Sequence, residues 1–188
     1  DGWGAYSLPK ADMPNVKKLM EDGSYTLKKR SALPSSSAIN WASMFMGAGP
    51  ELHGYTEWGS KTPELPSRVL NKNGIFPTVF QLLRDARPEA EIGCLYEWEG
   101  IKYLVDTLSL NYHYHVADCN KTPKELGNMS SSYIKEKHPA LVAICFDGPD
   151  HTGHTEGHDT PAYYEKLKEL DSYVGQIVQA VKDAGPNA

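Results

Sequence analysis

An α/β fold built on a mainly parallel sheet is predicted by three features of this 188-residue chain. Strand-like segments alternate with helix-like ones, one apolar run shows no alternation, and a long amphipathic helix lies near the end. The run Ala140-Leu141-Val142-Ala143-Ile144-Cys145-Phe146 is apolar throughout, the pattern of a parallel strand buried on both faces. From about Pro161 to Ala184, Leu167, Leu170, Val174, Ile177, Val178 and Val181 share one helical face, a stripe expected to cover the sheet.

The other elements follow in chain order. Residues 13–23 read as a helix, with Pro14 in the first turn and Gly23 just past the end. Ser24 to Arg30 alternates enough to be read as a strand. A Ser-rich turn from Pro34 to Ser37 leads into a helical stretch from Ala38 to Met46, which stops before Gly47-Ala48-Gly49-Pro50. Residues 55–74 carry Gly, Pro, Ser and charge without a period, as a loop or lid would. Pro77 to Arg84 reads as a helix and Glu91 to Trp98 as a strand. Thr122-Pro123-Lys124-Glu125 is a capping box opening a helix towards Lys137. No internal repeat or linker divides the chain, so one domain is expected.

Composition narrows the function classes. A net charge of -5 with no basic stripe disfavours a nucleic-acid polymer as partner, whereas a small phosphate ester can still be drawn to bound cations. No apolar run reaches membrane-spanning length. Cys94, Cys119 and Cys145 cannot all pair within the chain and lack zinc-knuckle or redox spacing, so core thiols are expected. Asn120-Lys121-Thr122 and Asn128-Met129-Ser130 fit the N-glycosylation pattern, a short motif that also arises by chance. A start at Asp1 without Met or a signal peptide is read as a processed or trimmed chain.

Parallel sheets gather functional groups beyond the carboxyl ends of their strands. Asp150-His151-Thr152-Gly153-His154 follows the strongest strand there, offering a carboxylate and an imidazole four positions apart on what reads as a loop. These donors suit zinc, and also manganese or iron, but such a short pattern is more often a solvated polar loop. Asp1-Gly2-Trp3-Gly4 reads as an acidic strand-end turn whose glycines permit close approach, or simply as an exposed aspartate. Ser37, at or near a helix N-terminus, is either a cap or a nucleophile activated by a cation, and periodicity does not choose between them. Tyr96, Trp98, Tyr112 and Tyr114 either line a cleft or pack in the core.

An ordered series of short motifs runs through the chain: Asp1-Gly2, Pro14-Asn15 with Leu19 and Gly23, Ser37-Ala38-Ile39-Asn40, and Gly47 with Pro50-Glu51-Leu52-His53-Gly54. Pro77-Thr78-Val79-Phe80, Pro149-Asp150 with Gly153-His154, and Leu170-Asp171 with Val174-Gly175 follow. Covering nearly the whole length in this order, they resemble the alkaline phosphatase superfamily, and most of all its type I phosphodiesterase/nucleotide pyrophosphatase branch. In that branch a nucleophile lies three residues before an Asn, and a Pro-Glu-x-His-Gly turn follows.

The resemblance implies an alkaline phosphatase-like domain with helices on both faces of the sheet, incomplete at both ends, of which residues 1–188 are the N-terminal portion. It implies metal-dependent phosphate-ester hydrolysis, with a phosphodiester or nucleotide-type substrate, through a covalent phospho-serine on Ser37. Two divalent metal ions, zinc by ligand type, are implied, with Asp1 and Ser37 serving one and Asp150 and His154 the other. His53 and Asp171 are implied to be structural. The family's phosphate-contacting Asn falls at Trp58, so Asn40 is the substitute expected to bind substrate. A later Asp-His pair and a further His are expected beyond Ala188, and a periplasmic or secreted location is implied by resemblance only. Phosphonate or phosphomonoester hydrolysis on the same scaffold, or a non-catalytic binding domain with a remnant site, are the alternatives. A sulfatase is disfavoured because residues 35–39 lack the arginine of the formylglycine motif.

Overall fold

The computed structural model describes residues 1–117 and 123–185. Its centre is a parallel three-stranded sheet formed by β1 (Ile92–Tyr96), β2 (Tyr112–His115) and β3 (Leu141–Cys145), in the order β2-β1-β3. Gly93 to Tyr96 pair with Tyr112 to His115, and Ile92 to Tyr96 pair with Leu141 to Cys145. Parallel pairing brings the carboxyl ends of all three strands to one edge.

Helices cover both faces, as expected. Side chains alternate across a strand, so Ile92, Cys94 and Tyr96 join a core with Ala38, Ala42 and Phe45 of α2 (Ser37–Met46) and Phe80 of α4 (Val79–Ala86). Leu95 points the other way, towards Leu126 and Tyr133 of α5 (Pro123–Lys137). β1 is buried at every position. β3 also contributes to both cores, but Leu141 to Ile144 are only half-buried because β3 borders the sheet among the described residues. The unbroken apolar run thus marked two-faced packing in an outer strand.

α7 (Pro161–Ala184) has the predicted ends, with the Thr160 hydroxyl accepting from the Tyr163 N–H and Gly185 beyond. Its stripe does not cover the sheet as expected. Its main neighbours are α5, α6 (Gly148–Glu156) and α1 (Pro14–Asp22), and Val181 is 44% exposed. One joint with α1 accounts for two of the sequence motifs. The buried Asp171 carboxylate accepts the Asn15 and Val16 N–H groups at 3.0 and 2.8 Å and the Asn15 amide at 2.9 Å, capping α1 from another helix. A Cβ on Gly175 would lie 2.6 Å from the Asn15 side chain, which explains the small residue one turn after Asp171.

Two strand assignments change. Residues 24–30 form no strand; Tyr25 and Leu27 are 62% and 43% exposed, with no neighbouring strand to receive their backbone. β2 was not foreseen, because Tyr-His-Tyr-His becomes a strand only through its pairing with β1. Its aromatics mostly pack: Tyr112 stacks on Tyr133, buried Tyr96 stacks on His115 and Trp98 lies against the core, while Tyr114 is 42% exposed.

Elsewhere the local signals match. α2 ends at Gly47 in the left-handed conformation (φ 62°), and residues 55–74 form a loop after the short α3 (Pro50–His53). Cys94 and Cys145 are buried free thiols, and hydrogen bonding to Cys145 together with burial pushes the Cys94 thiol up. In the Asn128-Met129-Ser130 motif Ser130 is fully buried, whereas Asn128 is exposed and its amide oxygen accepts from Gln176 of α7. Cys119, Thr122 and the 120–122 motif lie outside the described residues. No helix among the described residues is long and apolar enough to cross a membrane.

Asp171→Ala leaves the first N–H groups of α1 without an acceptor, and should lower unfolding free energy by about 2–4 kcal/mol in urea titrations. Asp171→Asn, which keeps one side-chain acceptor, should lose less.

Candidate active site

The site is assembled where β1 and β3 end. Glu97 follows β1, and its N–H donates to the Cys145 carbonyl at 3.1 Å, extending the ladder by one residue. Its Oε2 accepts the Asp147 N–H at 2.6 Å. The Asp147 carbonyl in turn accepts the Asp150 and His151 N–H groups, both at 3.1 Å, and so begins α6. The segment expected to be a loop is therefore helical, with Pro149 placed where its missing N–H costs nothing. Asp150 lies in the first turn and His154 one turn later, Nε2 being 3.4 Å from Asp150 Oδ2 and the His154 side chain 76% exposed.

The N-terminal turn lies across this helix start. The Asp1 nitrogen donates to the Phe146 carbonyl at 2.6 Å, just past β3. Asp1 Oδ1 accepts the Gly2 N–H at 2.8 Å, and Oδ2 accepts the Trp41 indole N–H at 3.2 Å. Gly2 has φ 68°, and a Cβ there would fall 2.3 Å from the Asp150 Cα, so only glycine fits. The buried Tyr163 hydroxyl of α7 donates to the Gly2 carbonyl at 2.8 Å and accepts the Gly4 N–H at 3.2 Å, fastening the turn from behind.

Carboxylate oxygens of Asp1, Asp147 and Asp150 consequently lie within 4.8 Å of one another, all three residues being half-buried. Burial pushes the Asp147 carboxyl up, and the nearby Asp150 charge acts in the same sense. Burial also pushes Glu97, 4% exposed, up to about 7. Hard oxygens crowded at a half-buried edge, with an imidazole beside one of them, form a donor set that fits a divalent cation.

Ser37 is the first residue of α2 and is half-buried. The cap position belongs to Ser36, in extended conformation, and neither serine makes a side-chain cap hydrogen bond; the Ala38 N–H is instead taken by the Trp58 carbonyl at 3.1 Å. Capping therefore does not account for the Ser37 hydroxyl. Asn40 is occupied: its Oδ1 accepts the Ala32 N–H at 2.7 Å, and its amide donates to the Ala32 and Ser36 carbonyls at 3.3 and 3.0 Å. It fastens the serine turn rather than offering a free amide, while Trp58 is 69% exposed. His53 is structural, its Nδ1 accepting the Tyr55 N–H and its Nε2 lying 3.1 Å from the Ser43 hydroxyl; burial lowers its pKa.

Of the expected residues, Asp1 and Asp150 meet directly, His154 stands beside Asp150, and Ser37 begins the helix that Trp41 ties to Asp1. Asp147, Glu97 and Trp41 were missed. Asp147 was visible as an acid at the strand end, and Trp41 as the residue one helical turn after Ser37. Only the sheet order reveals Glu97.

Gly2→Ala forces an unfavourable backbone conformation and pushes the turn off Asp150, and should weaken divalent-cation uptake at the carboxylate cluster by more than about tenfold in a chelator-competition titration. Glu97 carries a pH signature in the metal-free protein. With a folded value of about 7 against an ordinary 4.5, the folded state binds more protons between these values, so its contribution disfavours folding increasingly as pH rises through that window. The melting-temperature difference between Glu97→Gln and unmodified protein should shift in favour of the variant from about pH 4.5 to 7 and level off above.

Comparison with known proteins gives a consistent picture. The chain is 22% identical over 181 residues to mouse (Mus musculus) ectonucleotide pyrophosphatase/phosphodiesterase family member 1, covering 92% of this chain and 20% of that protein. Murine ectonucleotide pyrophosphatase/phosphodiesterase 5, solved with AMP, superposes with a TM-score of 0.73 at 17% identity, over 98% of this chain and 51% of that one. Phosphonoacetate hydrolase from Sinorhizobium meliloti 1021, solved with phosphonoformate, gives a TM-score of 0.58 at 18% identity, over 94% and 49%. The chain thus spans about half the length of these solved relatives, or less of the curated one. The model of the type I phosphodiesterase/nucleotide pyrophosphatase family matches residues 1–188, and with the site at the carboxyl edge of an alkaline phosphatase-like sheet, the chain belongs to that family.

Proposed function

We propose that the protein containing this chain hydrolyses small phosphate esters, phosphodiester or nucleotide-type, with Ser37 as nucleophile. The observation that carries this reading is the Trp41 link: the indole bonded to Asp1 lies one helical turn after Ser37, which couples the serine turn to the carboxylate cluster. A murine relative described as inactive when one threonine is replaced by alanine supports hydroxyl-dependent chemistry. In this reading residues 1–188 are the N-terminal portion of a single catalytic domain, and the remaining site residues lie outside it.

Asp1 and Ser37 would hold one divalent cation, and Asp150 with His154 another, zinc being favoured by the mixed oxygen and nitrogen donors. Bound there, such ions supply charge neutralisation for the phosphoryl oxygens and lower the pKa of the serine hydroxyl. The Ser37 oxygen attacks phosphorus in line with the leaving alkoxide, forming an Oγ–P bond as the ester P–O bond breaks. The alkoxide takes a proton and departs as an alcohol. Water then cleaves the Oγ–P bond, returning the serine hydroxyl and releasing phosphate or its monoester. The α2 N-terminus favours the anionic group beside Ser37, and Asn40 keeps the serine turn in place.

A phosphonate substrate is the second reading. Likeness to phosphonoacetate hydrolase favours it, as does exposed Trp58 at the position of the branch's phosphate-contacting Asn. A secreted or periplasmic setting follows the ectoenzyme relatives.

Ser37→Ala in the full-length protein should lower kcat/KM for a chromogenic phosphodiester by at least about 10³-fold while leaving the fold intact. Chelation should abolish turnover and added zinc should restore it. Normal turnover by folded Ser37→Ala excludes the assignment, and faster cleavage of a phosphonate than of a diester favours the second reading.

A further inference from the structure

Glu97 is 4% exposed, a burial that carboxylates tolerate only with strong partners. It sits where all three strands end: its N–H reaches the β3 residue Cys145, and its carbonyl lies 2.9 Å from Nε2 of the β2 residue His115. One oxygen, Oε2, accepts the Asp147 N–H at 2.6 Å, whereas Oε1 is buried without a hydrogen-bond partner. Asp147 provides no side-chain cap for α6, so the acceptor at that helix start comes from the neighbouring strand. The same Asp147 peptide passes the restraint on, since its carbonyl holds the Asp150 and His151 N–H groups.

We infer that Glu97 is a positioning residue: anchored at the end of the central strand, it fixes the start of α6 through the Asp147 peptide and so sets Asp150 against Asp1 for cation binding. A neutral acceptor would leave a less costly buried group, but a charged oxygen makes the shorter and stronger hydrogen bond. The arrangement matches the outer-layer partners that orient metal ligands elsewhere in proteins, acting here through backbone rather than on the ligand side chain.

This inference rests on the metal-dependent reading above. The test is zinc affinity of the full-length protein, measured by competition with a chromophoric chelator, with circular dichroism as the check on folding. Glu97→Ala should weaken zinc binding by about tenfold or more, and Glu97→Gln, which keeps an acceptor for the Asp147 N–H, should return it to within about threefold of the unmodified protein. In an Asp150→Ala background, Glu97→Ala should produce no further loss, because its effect runs through Asp150; a general weakening of the fold would add to it. If Glu97→Ala does not fold, Glu97→Asp, whose acceptor is withdrawn by one methylene, should show the loss instead. Wild-type zinc affinity in a folded Glu97→Ala or Glu97→Asp overturns the positioning role alone, as does an undiminished loss in the Asp150→Ala background. Absence of zinc binding by the unmodified protein overturns both readings together.

Discussion

The Gly2 backbone lies so close to the Asp150 Cα that no side chain fits between them, and the geometry of the site depends on this contact. It presses the Asp1 turn against the first turn of α6 and brings carboxylates distant in sequence within 4.8 Å. Like charges at that separation repel, and half-burial removes much of the water that would screen them. Contacts behind the turn resist the repulsion: the Tyr163 hydroxyl holds Gly2 and Gly4, the Phe146 carbonyl holds the Asp1 nitrogen, and Trp41 holds the Asp1 carboxylate. A site organised against its own electrostatics in this way is suited to receive positive charge.

The fold serves that edge from several sides. β1 is buried on both faces and carries Glu97 to the base of α6. α7 does not cover the sheet itself; it braces α1 through Asp171 and the N-terminal turn through Tyr163. α2 brings Ser37 and Trp41 in from the opposite face of the sheet. Five separate chain segments, the Asp1 turn, the end of β1, α2, the start of α6 and α7, therefore converge on one patch, and the polar residues buried there act mainly as ties between segments.

Most of the fold was legible because its signals are local. Pro14 and Gly23 bracket α1, Gly47 ends α2, and the apolar period of α7 runs between Thr160 and Gly185. The failures were non-local. Residues 24–30 alternate like a strand but have no neighbour to pair with, whereas β2 lacks an apolar pattern and exists through its register with β1. At the site, Asp150 and His154 stood out by type, yet their spacing of four fits a loop and a helix equally well. Asp1 was weak alone and gained meaning from motif order. Glu97 could not be found from sequence: its role requires knowing that β1 and β3 are neighbours and parallel, and nothing in Tyr96-Glu97-Trp98 shows that.

The central claim is that the Asp1 turn and the α6 start form two halves of one cation-binding nucleophile site. Anomalous X-ray scattering at the zinc edge from crystals of the zinc-loaded full-length protein tests it most directly. The account predicts one peak at about 2.0–2.2 Å from an Asp150 oxygen and a His154 nitrogen, and a second in contact with Asp1 and the Ser37 hydroxyl. Zinc bound elsewhere, with the Asp1 and Asp150 carboxylates free of metal, would contradict it.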